Sequence, residues 1–373
     1  MRRSLMRSIV MGFFLFTAVP LLSVLPAAAF DPGTDTKLLI NALSPSLPID
    51  FCEEEVPLTS PKVKERFEKE MLLILWDRPQ VLLWLKRSRR YFPEIERQLS
   101  TQRMPTDLKF LAVVESALRP HSGSSQGAVG FWQLMPETAR KYGLKVDDRI
   151  DERRAVIPST QAALTYLQVL YERLKSWTLA VAAYNMGEEG LVAEMLEQGA
   201  QDFYQLYLPL ETQRLVLRII VAKLILNHPE RYGFHLKDED YYAPLQYDSI
   251  VLDNFDEVPL SLLAKAAHTH FKVIKDLNPE LRGHYLSEGS RKIRLPKGTS
   301  KGFLERFRTL SEFRLKNFKQ RIYIVKPGDN LTTIAKQHNV PLGALLIWNR
   351  LNLNQPIHPG DRIIVHPNQT KIP

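Results

Sequence analysis

The chain has 373 residues, 45% of them apolar and 24% charged, a balance that excludes a disordered or collagen-like protein and leaves an ordinary folded one. That length allows one sizeable domain with one or two small ones beside it. A formal charge of +9 favours polyanionic surfaces such as wall polymer, membrane headgroups or nucleic acid, but no basic run interleaved with aromatics marks a nucleic-acid binder.

At the N-terminus, Arg2, Arg3 and Arg7 precede an apolar run over 9–25 that ends in Ala27-Ala28-Ala29. This pattern reads as an export signal over 1–29, cut after Ala29. The alternative is an uncut anchor, for which a run of about 17 residues containing Pro20 and Pro26 is short. The single cysteine, Cys52, lies far beyond that run, so neither lipid attachment there nor an internal disulfide is expected. The reading is an exported protein of the periplasm or cell envelope, without a lipid anchor. Without the signal arginines its charge is about +6.

Residues 30–104 read as a helical region. Over 61–99 apolar and charged positions alternate at helical spacing, with Trp76, Trp84 and Leu85 on inner faces and Pro79 and Pro93 as breaks between two or three short helices. A second helical block covers 105–235. Pro105-Thr106-Asp107 opens one helix, capped by Thr106 or Asp107, and Pro158-Ser159-Thr160 opens another, with Ala163, Leu167, Leu170 and Leu174 on one face. Strand-like alternation is scarce, so the fold class is mainly α.

The most informative stretch is 110–144, FLAVVESALRPHSGSSQGAVGFWQLMPETARKYGL. Glu115 ends an apolar helix, where poor hydration raises a carboxyl pKa and keeps it protonated near neutral pH, as a general acid requires; the competing reading is an ordinary buried or surface glutamate. The following loop, rich in Ser and Gly, lets backbone amides approach a ligand. Next come Trp132, whose indole suits a sugar ring, and Gln133, whose carboxamide both donates and accepts. Further on, Tyr184 and Asn185 precede Gly187, an arrangement that equally fits a helix C-cap over a core tyrosine.

Glu115-Ser116, the run from Gly127 through Trp132-Gln133, and Ala183-Tyr184-Asn185 resemble the ordered motifs of family 1 lytic transglycosylases. Trp132-Gln-Leu-Met-Pro-Glu-Thr and Asp151-Glu-Arg-Arg resemble the membrane-bound D-type branch, and the likeness extends over 105–218. The resemblance implies a goose-lysozyme-like catalytic domain that cleaves the MurNAc–GlcNAc β-1,4 bond of peptidoglycan. Glu115 would be the one catalytic acid and base, with Ser116, Gln133, Tyr184 and Asn185 placing the sugar and its acetamido group. No water attacks in that chemistry; the product carries a 1,6-anhydro ring. This would explain one carboxylate where other glycosidases use two. Glu137, Asp147, Asp148, Asp151 and Glu152 are the nearest candidates for a second, more simply read as solvated or structural. Two positions depart from the family: Leu215 stands where a tyrosine commonly hydrogen-bonds the catalytic glutamate, and Ala155 where an aspartate is common.

After residue 242 the texture changes. Short strands around 249–252 and 292–295 bracket two helical stretches, and the same order returns with strands at 322–325 and 362–365 around helices at 331–338 and 342–348. Leu260, Ala264 and Asn278 match Leu331, Ala335 and Asn349 at equal spacing, the mark of a duplicated module. A basic amphipathic stretch, 299–320, reads as a connecting helix. Residues 321–367 resemble a LysM module of βααβ form, which implies a groove for N-acetylglucosamine between Gly328, Asp329, Asn330 and Leu331 on one side and Ile357 on the other. Asp329 or Asn330 caps the first helix, and Trp348 reads as core. The unit at 245–298 lacks the Pro-Gly-Asp turn and resembles a degenerate LysM.

No metal-ligand spacing is present among the nine histidines, so neither metal nor cofactor is expected. The expected partner is the glycan strand of peptidoglycan, with no nucleic acid; peripheral attachment to the envelope and protein partners stay open. The competing functional readings are a wall-binding scaffold with a decayed catalytic domain and a lysozyme-type muramidase.

Overall fold

A computed structural model describes residues 32–44, 48–318 and 322–365; the export signal read over 1–29 lies outside them. Three separate hydrophobic cores organise the described residues, drawn from 42–234, 252–307 and 325–365.

The first core is almost entirely helical. Helix α1 (Pro32–Ala42) leads to a minimal hairpin of β1 (Asp50–Phe51) and β2 (Glu54–Glu55), then to α2 (Pro61–Trp76) and α3 (Arg78–Thr101). Trp84 and Leu85 are buried as their spacing predicts. Trp76 is 84% exposed, against expectation, because it is the last residue of α2 and the chain turns away at Asp77. Pro93 does not break α3. The face around it packs edge-on, Tyr91 against Phe131 and Phe92 against Phe110, and this burial outweighs the roughly 3 kcal/mol that an interior proline costs.

A short 3-10 turn, Thr106–Leu108, opens α4 (Lys109–Ser116) without a side-chain cap. Asp107 does not cap it; its carboxylate instead accepts the Cys52 amide at 2.9 Å and Lys223 Nζ at 2.7 Å. Helices α5 (Pro136–Lys141), α6 (Val156–Leu174), α7 (Trp177–Met186), α8 (Glu188–Gln198) and α9 (Leu210–Asn227) complete the bundle. Helix α6 begins two residues before Pro158 and buries Ala163, Leu167 and Leu170. Helix α4 is buried on nearly every side, with Phe110, Leu111, Ala112 and Val113 inaccessible, and packs on α3 and α9. Its C-terminal residues are thereby fixed against a rigid wall.

Two βααβ units follow. The first pairs β3 (Tyr247–Phe255) antiparallel with β6 (Gly289–Pro296), around α10 (Leu260–Ala266) and α11 (Phe271–Leu277). Short strands β4 (Val258–Pro259) and β5 (Tyr285–Leu286) join the two loops at one end, reinforced by Leu260 N donating to His284 O at 2.8 Å. Helix α12 (Phe303–Phe318) then leads to the second unit, where β7 (Ile322–Ile324) pairs with β8 (Arg362–Ile364) around α13 (Leu331–Gln337) and α14 (Leu342–Asn349). Among the described residues no ladder joins the corresponding loops of this second unit.

The repeat seen in the sequence recurs in atomic detail. Asn278 Nδ2 donates to Ile274 O and Arg294 O, and its Oδ1 accepts from Arg294 N. Asn349 makes the same three bonds, to Leu345 O, Ile364 O and Ile364 N. Each asparagine ties a helix end to the second strand of its unit, which satisfies buried backbone groups that would otherwise be costly. The first unit also docks on the helical domain: Asp151 N donates to Glu280 O and Arg282 N to Arg149 O, both at 2.8 Å.

Candidate active site

Glu115 lies in the last turn of α4, and the chain leaves that helix through two successive left-handed residues, Ala117 (φ 53°) and Leu118 (φ 57°). Such a conformation is costly for residues with a Cβ and persists where surrounding contacts dictate it. Here Ala117 N donates to Val113 O at 2.7 Å, and Arg87 Nη1 donates to Ala117 O at 3.1 Å. The turn ends the helix one residue after Ser116 and fixes the direction in which Glu115 projects.

Burial pushes the Glu115 carboxyl up to about 7; the Arg218 guanidinium opposes that rise and Glu211 adds to it. Arg218 and Glu211 form a 3.2 Å ion pair on α9. No hydrogen bond reaches the Glu115 carboxyl among the described residues. Leu215, on the same helix, is buried and supplies hydrocarbon where the resemblance implies a phenol. Of the carboxylates considered from the sequence, none acts on Glu115. Asp151 is buried against Arg153 at 2.8 Å, Asp147 accepts the amides of Arg149 and Ile150, and Glu152 accepts Lys145 N. The carboxylate whose charge does reach it, Glu211, was not among them.

The other expected site residues divide into contacts and braces. Asn185 is exposed at the end of α7, and its Oδ1 accepts the hydroxyl of buried Thr212 at 2.8 Å, so its amide N–H groups are the ones left to offer. The Tyr184 hydroxyl donates to Trp132 O at 2.7 Å. Burial, and secondarily the charge of Glu115, hold this phenol neutral well above its ordinary range. Gln133 has φ 47° and spends its Nε2 on Gly130 O at 2.9 Å and Ser122 O at 3.2 Å; its carbonyl oxygen remains to accept.

Two residues face away from the role the sequence suggested. Ser116 is buried, its hydroxyl donating to Ala112 O or Phe131 O, so it braces the loop and does not touch a sugar. Trp132 is 0% exposed and donates Nε1–H to Thr160 Oγ1 at 3.0 Å, which makes it core and not a stacking platform. The chain reverses at left-handed Gly130 and Gln133, and that reversal directs the indole inward.

Three positioning residues were missed. Arg153 is buried, bonds both oxygens of Asp151, and donates Nη1 to Gly127 O at 2.8 Å and Leu134 O at 3.0 Å, clamping the glycine-rich loop from behind. Thr212 fixes Asn185. Glu54, in the N-terminal hairpin, accepts Thr178 N at 3.1 Å and Ser176 Oγ at 2.9 Å and so caps α7, the helix whose other end carries Tyr184 and Asn185. The Asp151-Glu-Arg-Arg stretch and the Glu211-Thr212 dipeptide were the available signals, but their partners lie too far along the chain to be read from spacing.

In the second βααβ unit, Gly328 has φ +88° and Asn330, not Asp329, caps α13 through Thr333 N at 2.9 Å. Asp329 accepts Tyr323 Oη at 2.8 Å and Lys326 N at 2.7 Å, holding the loop shape. Leu331 is buried, while Ile357 and Trp348 pack partly buried on the same core.

Residues 93–206 match the Transglycosylase SLT domain and residues 323–366 the LysM domain. The chain is 30% identical over 293 residues to membrane-bound lytic murein transglycosylase D of Escherichia coli strain K12, a match that covers 75% of this chain and 64% of that relative. Among solved structures, the 70 kDa soluble lytic transglycosylase SLT70 of Escherichia coli overlays on 44% of this chain and 28% of its own, with a TM-score of 0.34 and 19% identity. The lytic transglycosylase Slt of Pseudomonas aeruginosa overlays on 41% and 26%, with a TM-score of 0.31 and 19% identity.

Proposed function

From the premise that this chain is a member of the SLT-domain transglycosylases with a C-terminal LysM domain, we propose that it is an exported peptidoglycan lytic transglycosylase with Glu115 as its single catalytic acid and base. The observation that carries the reading is a carboxyl fixed at a rigid helix end without a hydrogen bond among the described residues, where burial raises it to about 7. Such a group is protonated often enough to donate and deprotonates readily enough to accept.

In the proposed cycle Glu115 protonates the glycosidic oxygen, and the C1–O bond breaks with the MurNAc acetamido group stabilising the cation. The carboxylate then removes the proton of the MurNAc 6-hydroxyl, and O6 closes on C1 to give the 1,6-anhydro ring. The Asn185 amide, Gln133 Oε1 and the Tyr184 ring hold the sugar, while Ser116 shapes the loop. Glu211 is engaged with Arg218, which supports a one-carboxylate mechanism over the paired carboxylates of a hydrolase.

Wall binding is assigned to the second βααβ unit, at the loop of Gly328, Asp329, Asn330 and Leu331 and the segment of Ile357. The first unit, a degenerate LysM, has its equivalent loops joined by the β4–β5 ladder, which supports a structural role for it. No helix among the described residues is long and apolar enough to cross a membrane, and the apolar N-terminal run supports export to the periplasm.

Digestion of purified sacculi with the full-length protein, followed by mass analysis of the fragments, tests the assignment. Anhydro ends, one water lighter than reducing ends, are the expected product. Reducing ends alone would make the protein a muramidase, and intact sacculi that retain the protein would make it a scaffold.

A further inference from the structure

The Glu115 carboxyl becomes a carboxylate each time it gives up its proton, and among the described residues no hydrogen bond receives that charge. Burial, which raises the carboxyl to about 7, penalises the anion once it has formed. The wall that α9 sets against it holds a compensating group. Glu211, Leu215 and Arg218 stand at i, i+4 and i+7, one stripe of the helix, and α9 packs directly on α4. Leu215, in the middle, is 2% exposed and supplies only hydrocarbon. Arg218 Nη1 and Glu211 Oε1 meet at 3.2 Å, so the ion pair passes over that leucine. Thr212, beside the stripe, bonds Asn185 and so joins this part of α9 to the end of α7.

The other charged and titratable groups on the elements around Glu115 are engaged elsewhere. On α9 itself, Arg214 pairs with Glu70 of α2 at 2.7 Å, and Lys223 with Asp107 at 2.7 Å and Asp50 at 3.0 Å. From α3, Arg87 Nη1 is held on Ala117 O at 3.1 Å, and Glu96 takes Lys109 of α4 at 2.7 Å. Arg119, just past α4, donates Nε to Ser116 O at 3.1 Å, and Tyr184 of α7 presents a neutral phenol bonded to Trp132 O at 2.7 Å. The charges that act on Glu115 are those of Arg218, which favours the carboxylate, and Glu211, which opposes it. The two are not equivalent: the Arg218 side chain is 27% exposed and the Glu211 side chain 63%, so water screens the cation less than its partner.

We propose, resting on the acid and base reading of Glu115 above, that the Arg218–Glu211 pair regulates Glu115 by charge: Arg218 stabilises the carboxylate that forms as the proton leaves, and Glu211 keeps Arg218 from ionising Glu115 before it has acted. Both are positioning residues in this role, since they act through Glu115 and need not touch the sugar. A lone cation beside a buried carboxyl would strip it of its proton near neutral pH, and a purely hydrocarbon wall would leave the anion uncompensated. The paired arginine lies between these extremes. The Glu115 proton passes to the glycosidic oxygen and is replaced from the MurNAc 6-hydroxyl, so the carboxylate exists between the two transfers, and that interval is where Arg218 acts.

The two halves of one ion pair then carry opposite signatures. Loss of the cation keeps Glu115 protonated to higher pH, and loss of Glu211 does the reverse. With the full-length protein on soluble glycan strands, the pH at which kcat/KM falls should rise by about half a pH unit in Arg218→Gln and drop by about as much in Glu211→Gln. Arg218→Lys should stay close to wild type, and the double variant should lie between the two single ones. A pair that merely braced α9 would be broken equally by either change, so shifts of the same sign, or none, overturn the proposal. The Glu115 carboxyl is also followed directly, as the side-chain carbon-13 resonance that Glu115→Gln removes. Should the wild type cleave no strand, the glycan-cleaving reading fails, and the titration of that resonance decides the pair: opposite shifts in the two variants uphold regulation by charge, and equal or absent shifts refute it.

Discussion

A carboxyl that must give a proton and later take one back works best with a pKa near ambient pH, and Glu115 reaches about 7 through burial. Glu115→Gln should lower turnover at least about 10³-fold, and the wild-type kcat/KM should fall as pH rises through 7 and the acid is lost. The same burial affects folding with a definite sign. The folded protein binds the Glu115 proton more tightly than the unfolded chain does, so stability declines between about pH 4.5 and 7. Chemical denaturation should therefore find Glu115→Gln more stable than wild type at pH 8, by up to about 3 kcal/mol, with the two converging below pH 4.5; a constant difference across that range contradicts the burial argument. Thr212 acts through another residue. Thr212→Val, nearly isosteric, frees the Asn185 carboxamide to rotate and should reduce kcat/KM about fivefold, the worth of one neutral hydrogen bond, while Thr212→Ser keeps it; an effect shared equally by both variants points to packing instead.

What the sequence made legible at the level of elements was whatever depends on near neighbours. The apolar run before Glu115 announced a buried helix, and the matched leucine, alanine and asparagine spacings announced two βααβ units that the structure reproduces bond for bond. What it hid depends on distant partners or on direction. Trp132 reads as a sugar platform because its indole follows the Ser- and Gly-rich loop, and Ser116 as a sugar contact through the family resemblance, yet the left-handed reversal at Gly130 and a hydroxyl on α6 turn the indole inward, and the Ser116 hydroxyl is spent on backbone carbonyls. Thr212 and Glu54 act across 27 and 124 residues, beyond any periodicity. Pro93 survives inside α3 because aromatic packing outweighs propensity. The glycine-rich loop can be tested as an element through Gly130. Its φ is +86°, and an added Cβ would lie 1.9 Å from Arg153 O, so the backbone of the clamp itself would have to move. Gly130→Ala should cost about 2–5 kcal/mol, combining left-handed strain with overpacking, measured as a lowered denaturation midpoint together with lost turnover. Gly127→Ala, where nothing lies within 4 Å of the added carbon, should pay the conformational part alone.

Across the whole molecule the three cores divide the labour unequally. The first βααβ unit is bound to the helical domain by backbone bonds on both sides of the Ile150–Leu281 bridge, whereas among the described residues the second meets the first through side chains, with Tyr285 Oη on Trp348 O at 3.3 Å and the Arg350–Glu257 pair. On the proposed function, a module so attached, following a helix, would hold the chain near its polymer without shaping the cleft. Tethering of this kind raises the effective concentration of substrate and adds nothing to the chemical step. Removal of residues 321–373 should therefore weaken binding to insoluble sacculi by about 100-fold in a sedimentation assay, yet leave kcat on short soluble glycan strands within about twofold. Because the first unit has its loops laced together by β4 and β5, it should not compensate for the loss. Undiminished sacculus binding by the truncated chain would transfer the wall-binding role to that unit or to the cleft, and a fall in kcat on soluble strands would mean that the second unit reaches the cleft after all.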